Sequence, residues 1–316
     1  MQDTVRVAAV QMKMRWYEHA SDFAYAVDER VSAAGARGAE LVVFPEDVGL
    51  PLLGLGDLDV ARSSTRTDQF ALRIILRHSP RFLATVVSRR CSARRAILLL
   101  KAPLLREAYF GAFEAAARKH GVWIVAGSIP LPPRDTGSAE IYNQSAVFAP
   151  DGERRGLVRK VDLIPLEAEA LHLTPGKIED LPVFEASFGK FAVAICADNW
   201  NAELVASLHR RGAEIICNPA ANPEEWNEEQ QASHREGLFA RCQELPIFGV
   251  QASGIGQWLD IVFEGQSCVV APRELTADES GYIALAETHN EEQVLIADLD
   301  LRALRDLADV RRGETV

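Results

Sequence analysis

Long apolar runs, paired cysteines, clustered histidines and glycine-rich loops are all scarce in this chain of 316 residues, and each absence removes a class of function. No uninterrupted apolar stretch approaches the roughly 20 residues of a membrane span. The N-terminal MQDTVRVAAVQMKM has charge scattered through a short apolar run, and no signal peptide is expected. Five cysteines, at 91, 196, 217, 242 and 268, form no CxxC pair, which suggests neither a disulfide framework nor a zinc site. The seven histidines are scattered with no HxxxH or HExxH spacing, so no metal is expected. GLGDLD at 54–59 lacks the lysine and helix context of a phosphate loop, and no other cofactor motif is present. There is no internal repeat or low-complexity segment. The net charge of -11 argues against a nucleic-acid partner, because phosphate binding needs a basic surface.

What is present is an ordinary globular composition, 48% hydrophobic and 25% charged, with room for one large domain or two small ones. Reduced cytoplasm is the expected compartment. Val5 to Gln11 reads as a strand, Tyr17 to Ala36 as a helix and Leu41 to Phe44 as a second strand, the unit of a layered α/β protein. Strands are predicted again at Val122 to Ala126, at Ile141 to Phe148 paired with Arg155 to Lys160 as a hairpin, and at Phe184 to Phe188. Further strands are read at Phe191 to Ile195, Glu214 to Cys217, Ile247 to Ala252, Ser267 to Ala271 and Gln293 to Asp298. Helices are predicted after Asn201, which can cap Leu204 to Leu208, over about Trp226 to Glu244, and over Leu301 to Val310.

One segment departs from the acidic background. Arg62 to Arg106 holds eleven basic residues against Asp68 alone, among apolar residues that suggest two or three amphipathic helices. The spacing predicts a helical insertion whose arginines pair with acidic patches such as Glu224, Glu225, Glu228 and Glu229, on this subunit or a neighbour. Contact with an anionic membrane surface through 62–106 is the sharper and less favoured alternative.

Three strand ends carry chemistry. Cys196 closes the apolar run FAVAI at a strand-turn-helix corner, where free N–H groups at a helix start can hold an oxyanion. Glu46 ends a strand in FPED, and Lys160 ends a hairpin strand in RKVDLIP. Each has a plain reading: a buried cysteine is usually a small hydrophobe, and a charge at a strand end is usually solvated. Together they make a different set. A carboxylate can take the thiol proton and later activate water, while a lysine keeps it charged and stabilises a tetrahedral oxyanion.

These motifs, in this order, resemble those of the nitrilase superfamily, the carbon–nitrogen hydrolases, over nearly the whole chain. FPED resembles the family's Phe-Pro-Glu base motif, RKVDLIP its lysine motif and ICAD its Cys-x-Asp nucleophile motif. ARCQE at 240–244 and FEGQS at 263–267 resemble scaffold motifs. The resemblance implies a four-layer α-β-β-α sandwich that pairs into a homodimer or larger assembly, with 62–106 inserted in a single domain. It implies Cys196 as nucleophile, Glu46 as base and acid, and Lys160 as oxyanion partner, with the backbone N–H of Ala197 in the oxyanion hole. A second glutamate after the lysine is expected; LxPxE favours Glu167 over Glu169. Where the family commonly has an aromatic residue after the cysteine this chain has Ala197, and Asn201-Ala202-Glu203 replaces a Pro-Glu. Cys-x-Asp points to amidases and carbamoylases, Cys-Trp-Glu to nitrilases. The function implied is hydrolysis of a small amide or carbamoyl compound through a thioester. Nitrile hydrolysis, acyl transfer to an amine or lipid, and a non-catalytic binding protein on the same fold are the alternatives. The other four cysteines are expected to be structural.

Overall fold

The computed structural model describes residues 2–134 and 138–313. β1 (Thr4–Lys13), α1 (Ala20–Gly35) and β2 (Leu41–Val43) form the strand-helix-strand unit that the hydrophobic spacing predicts. Four helices then intervene: α2 (Leu58–Ser63), α3 (Thr67–Arg77), α4 (Ser79–Arg89) and the long α5 (Ala93–His120). β3 (Trp123–Val125), β4 (Ile129–Leu131), β5 (Tyr142–Phe148) and β6 (Arg154–Arg159) follow, the last two as the expected hairpin. The second half contains β7 (Val183–Glu185), β8 (Lys190–Val193), α6 (Ala202–Arg210), β9 (Ile215–Ala220), α7 (Glu228–His234) and α8 (Ala240–Glu244). It continues through β10 (Phe248–Trp258), β11 (Ile261–Phe263), β12 (Cys268–Val270), β13 (Tyr282–Leu285), β14 (Gln293–Asp300) and α9 (Leu301–Gly313).

The strands run β4-β5-β3-β2-β1-β10-β9-β8-β7, with β6 on β5, β14 on β1 and β12 on β10. β1 and β10 pair only at Met12–Gly254 and Lys13–Ile255. The two halves of the sheet are therefore hinged at that corner and face one another. Side-chain alternation along β1 makes the layers. Val5, Val7 and Ala9 join Val193, Cys217 and Val250 from β8, β9 and β10 in a core between the half-sheets. Ala8, Val10 and Met12 face the opposite way and pack with Phe23 of α1 and Phe113 of α5. Leu204, Val205 and Leu208 of α6 cover the outside of the other half. This is the expected four-layer α-β-β-α sandwich.

Three expectations change in detail. The helix predicted from Trp226 to Glu244 is broken, because α7 and α8 are separated by a π-turn at Arg235–Phe239 in which Gly237 leaves helical geometry. Arg106 lies inside α5, which continues to His120 and packs against α1, so the basic segment merges into a core helix. Its charges do not pair with Glu224, Glu225, Glu228 or Glu229 among the described residues. They reach nearer acids instead: Arg62 pairs with Glu18, Arg66 with Asp68, and Arg77 with Asp57 and Asp59. Lys101 of α5 is buried and contacts Asp57, itself buried, and donates to the Leu55 carbonyl at 2.6 Å. His78 Nε2 lies 3.0 Å from the same Asp57 carboxylate.

Candidate active site

Three loops that leave strands at one edge of the folded sheet build the site. Phe44, Pro45 and Glu46 leave β2, and the turn packs so closely on Gly127 that a Cβ there would stand 2.0 Å from the Pro45 carbonyl oxygen. Lys160 directly follows β6. β5 runs antiparallel to β6, which brings its first residues to the same edge; Lys160 N donates to the Asn143 carbonyl at 2.9 Å. Both belong to one half-sheet. Cys196 comes from the other, three residues after β8 ends, with φ 47 at the start of a short 3-10 turn, Cys196–Trp200. Left-handed backbone is costly for a side chain with a Cβ and is held here by its surroundings.

Those surroundings are hydrogen bonds. The Asp198 carboxylate accepts from Ile195 N at 3.0 Å on its own turn, and from Val161 N and Asp162 N at 2.9 and 2.7 Å on the lysine loop. Cys-x-Asp thus ties the cysteine corner to the lysine corner. Asn199 Nδ2 donates to the Cys196 carbonyl at 2.5 Å, and Asn218 Nδ2 of β9 donates to the Ala194 carbonyl at 2.6 Å. Gly237 explains the helix break, because a Cβ there would collide with the Asn199 and Trp200 side chains at 2.3 and 2.4 Å. Asn201 caps α6 by accepting from Leu204 N at 3.1 Å, as its position predicts.

At the centre, Lys160 Nζ donates to Glu46 Oε1 at 2.8 Å and to Glu167 Oε2 at 2.6 Å. Glu46, Lys160 and Glu167 are 2%, 1% and 4% exposed. Asn143 Nδ2 bridges the two carboxylates, at 2.9 Å to Glu46 Oε1 and 2.7 Å to Glu167 Oε1. Ala221 N donates to Glu46 Oε2 at 3.1 Å and Ile164 N to Glu167 Oε2 at 3.0 Å. The Cys196 thiol hydrogen-bonds to Glu46. Glu169 stays outside, exposed on the turn, with its backbone carbonyl accepting from Arg94.

Burial sets the protonation states. It raises the Glu46 carboxyl, and the Lys160 charge opposes it. Burial pulls the Lys160 ammonium down, but Glu46, Cys196 and Glu167 together hold it well above its ordinary value. The Cys196 thiol is raised by burial first and by Glu46 next, so the resting pair is a thiol beside a carboxylate. Burial also pushes Asp198 up to about 7 against its N–H donors, and pulls His234 down to about 4, leaving that imidazole neutral.

The sequence reading missed Asn143, the positioning roles of Asp198 and Asn218, and the Ala221 N–H. One signal for Asn143 was available: Asn143, Gln144 and Ser145 are polar residues inside an otherwise apolar strand, and buried polar groups need partners.

Two cavities meet at these groups and share Ile164, Ala221 and Pro223 in their walls. The first, about 160 Å³, is lined by Cys196, Ala197, Asn199, Trp226, His234 and Gln251. The second, about 390 Å³, borders Glu46, Lys160 and Glu167 and extends under α3 and α5. Among the described residues no helix is long and apolar enough to cross a membrane.

Comparison with known proteins places this geometry. The chain is 28% identical over 205 residues to omega-amidase NIT2 of Xenopus tropicalis, an alignment covering 61% of this chain and 67% of that protein. It is 26% identical over 306 residues to a nitrilase of Pyrococcus abyssi, covering 96% of this chain and 92% of that one. The fold matches a structure of the amidase from Nesterenkonia sp. AN1, in which acrylamide has added to the active-site cysteine, with a TM-score of 0.65 at 20% identity over 98% of this chain and 99% of that one. The carbon-nitrogen hydrolase family profile matches residues 6–309. The chain belongs to the carbon–nitrogen hydrolase family.

Proposed function

We propose that this protein hydrolyses a linear amide or carbamoyl bond of a small molecule through a Cys196 thioester. The observation that carries the reading is the convergence of Glu46 and Lys160 from one half-sheet with Cys196 from the other, Glu46 touching both partners. Support comes also from the similarity to an omega-amidase.

Because burial keeps Cys196 a thiol at rest, attack requires a base at the same moment. Glu46 takes the thiol proton as Sγ bonds to the carbonyl carbon. The carbonyl oxygen becomes an oxyanion, held by the Lys160 ammonium and the Ala197 N–H, which as a first-turn group has no partner within its own helix. Glu46 then returns the proton to nitrogen, the C–N bond breaks, and ammonia or an amine leaves the thioester. Water loses a proton to Glu46 as it attacks, the C–S bond breaks, the thiol is reprotonated and a carboxylic acid departs. Glu167 and Asn143 hold Lys160 and Glu46 in register; they are positioning residues.

On the same reading the protein is a cytoplasmic homodimer of one-domain subunits, with 62–106 as an insertion. The five free cysteines fit a reducing compartment, and sedimentation reports the assembly. Nitrile hydrolysis, favoured by the nearly full-length similarity to the Pyrococcus abyssi nitrilase, would use the same residues. Intact-mass spectrometry after brief incubation with amide and nitrile panels separates the two. An acyl adduct at Cys196, absent in Cys196→Ala, is expected with amides. Full turnover by Cys196→Ala ends the proposal.

A further inference from the structure

We infer that the substrate carries a bulky apolar group, alkyl or aryl, and that the second cavity receives it on a wall supplied by the basic segment. The inference rests on the hydrolase reading and adds the substrate class.

The cavity begins at the catalytic carboxylates and its volume of about 390 Å³ is of small-molecule size. Its walls come from five parts of the chain: Leu53 beyond the Glu46 turn, Phe70 of α3, Leu98 of α5, Leu171 after Glu167, and Trp258 and Phe263 from the β10–β11 hairpin. Charged residues that border it already have partners. Arg66 pairs with Asp68, Asp260 accepts from Thr67, and Arg94 donates to the Glu169 carbonyl. Asp47 also borders it, its carboxyl raised well above the usual range by burial and then by Glu46 and Glu167, which favours the neutral acid there. An apolar substrate group therefore displaces water from apolar walls and leaves no ion pair broken.

The cavity is also held open in advance. Thr67 N and Oγ1 donate to Asp260 Oδ1 at 2.9 and 2.5 Å, fastening α3 to the hairpin. Arg95 donates to the His172 carbonyl at 2.6 Å, fastening α5 to the loop that carries Glu167. Helices α3 and α5 of the basic segment close one side of the substrate chamber.

The test is a series of straight-chain and phenyl-substituted primary amides, assayed for ammonia release. In the unaltered protein kcat/KM is expected to rise about three- to four-fold per added methylene until the cavity is full. Ala71→Trp places an indole on the α3 wall and is expected to flatten the series. A flat series in the unaltered protein that still turns over short amides overturns the inference and leaves the hydrolase reading standing. So does an undiminished rise in Ala71→Trp; if that variant does not fold, the series with the unaltered protein decides alone. No turnover and no Cys196 adduct with any amide defeats the hydrolase reading itself, and this inference with it.

Discussion

Two regions of the molecule use the same residue types to opposite ends. At the edge of the folded sheet, Lys160 has a side chain 0% exposed and is bonded to two buried carboxylates. Across the basic segment, Arg66 has a side chain 65% exposed and meets an equally exposed Asp68. The distances are alike, 2.8 and 3.0 Å. The energies are not. Exposed pairs are screened and contribute little, whereas removing one partner from a buried cluster strands the others without water. A count of charges therefore points to the segment, while the buried cluster is built around one lysine.

The contrast can be broken or sharpened by substitution. On the proposed reading Cys196→Ala should lower kcat by about 10⁴-fold or more, with a thermal midpoint close to that of the parent, since Glu46 and Glu167 keep their Lys160 counter-ion. Lys160→Met should abolish turnover and also destabilise the fold by about 3–5 kcal/mol in denaturant unfolding, because Glu46 and Glu167 lose their counter-ion. In the other region only Asp57 is expected to behave comparably. Asp57→Ala strands buried Lys101 and should cost about 3 kcal/mol, read from the same unfolding curves.

Asn143→Leu removes one donor from each of Glu46 and Glu167, and kcat/KM should fall about 10- to 100-fold. Its pH profile is the more telling readout. Glu46 acts ionised and its folded pKa is raised, so activity in the unaltered protein should be lost as pH falls through a midpoint above 4.5. Loss of the Asn143 donor disfavours the charged form further and should move that limb higher still. Arg81→Ala, on an exposed face with no ion pair among the described residues, should change stability by less than about 0.5 kcal/mol. A large effect there would reverse the comparison.

Legibility followed the range of the interactions. Glu46, Lys160 and Cys196 each stand just beyond a strand, and strand ends are visible in local pattern. The choice between Glu167 and Glu169 rested on the spacing of one motif, and the fold separates them by turning Glu167 inward and Glu169 to solvent. Asn143 was hidden because it lies inside a strand, and its partners come from distant parts of the chain. α5 runs through Pro103, which has no backbone N–H to give to the helix ladder. Gly237 sits in a helical pattern and interrupts the helix only because the cysteine turn presses against it.

By itself the sequence determined the elements, their alternating faces and the three reactive side chains at strand ends, since periods of 2 and 3.6 residues are local properties of the backbone. Tertiary structure alone decided that the half-sheets hinge at the short β1–β10 contact and bring Glu46 to Cys196. It also decided that Asn143 joins both carboxylates and that α3 and α5 border the cavity beside them. Those outcomes depend on packing between residues far apart in the chain, where burial, and not residue type, sets what a charge or a cysteine does.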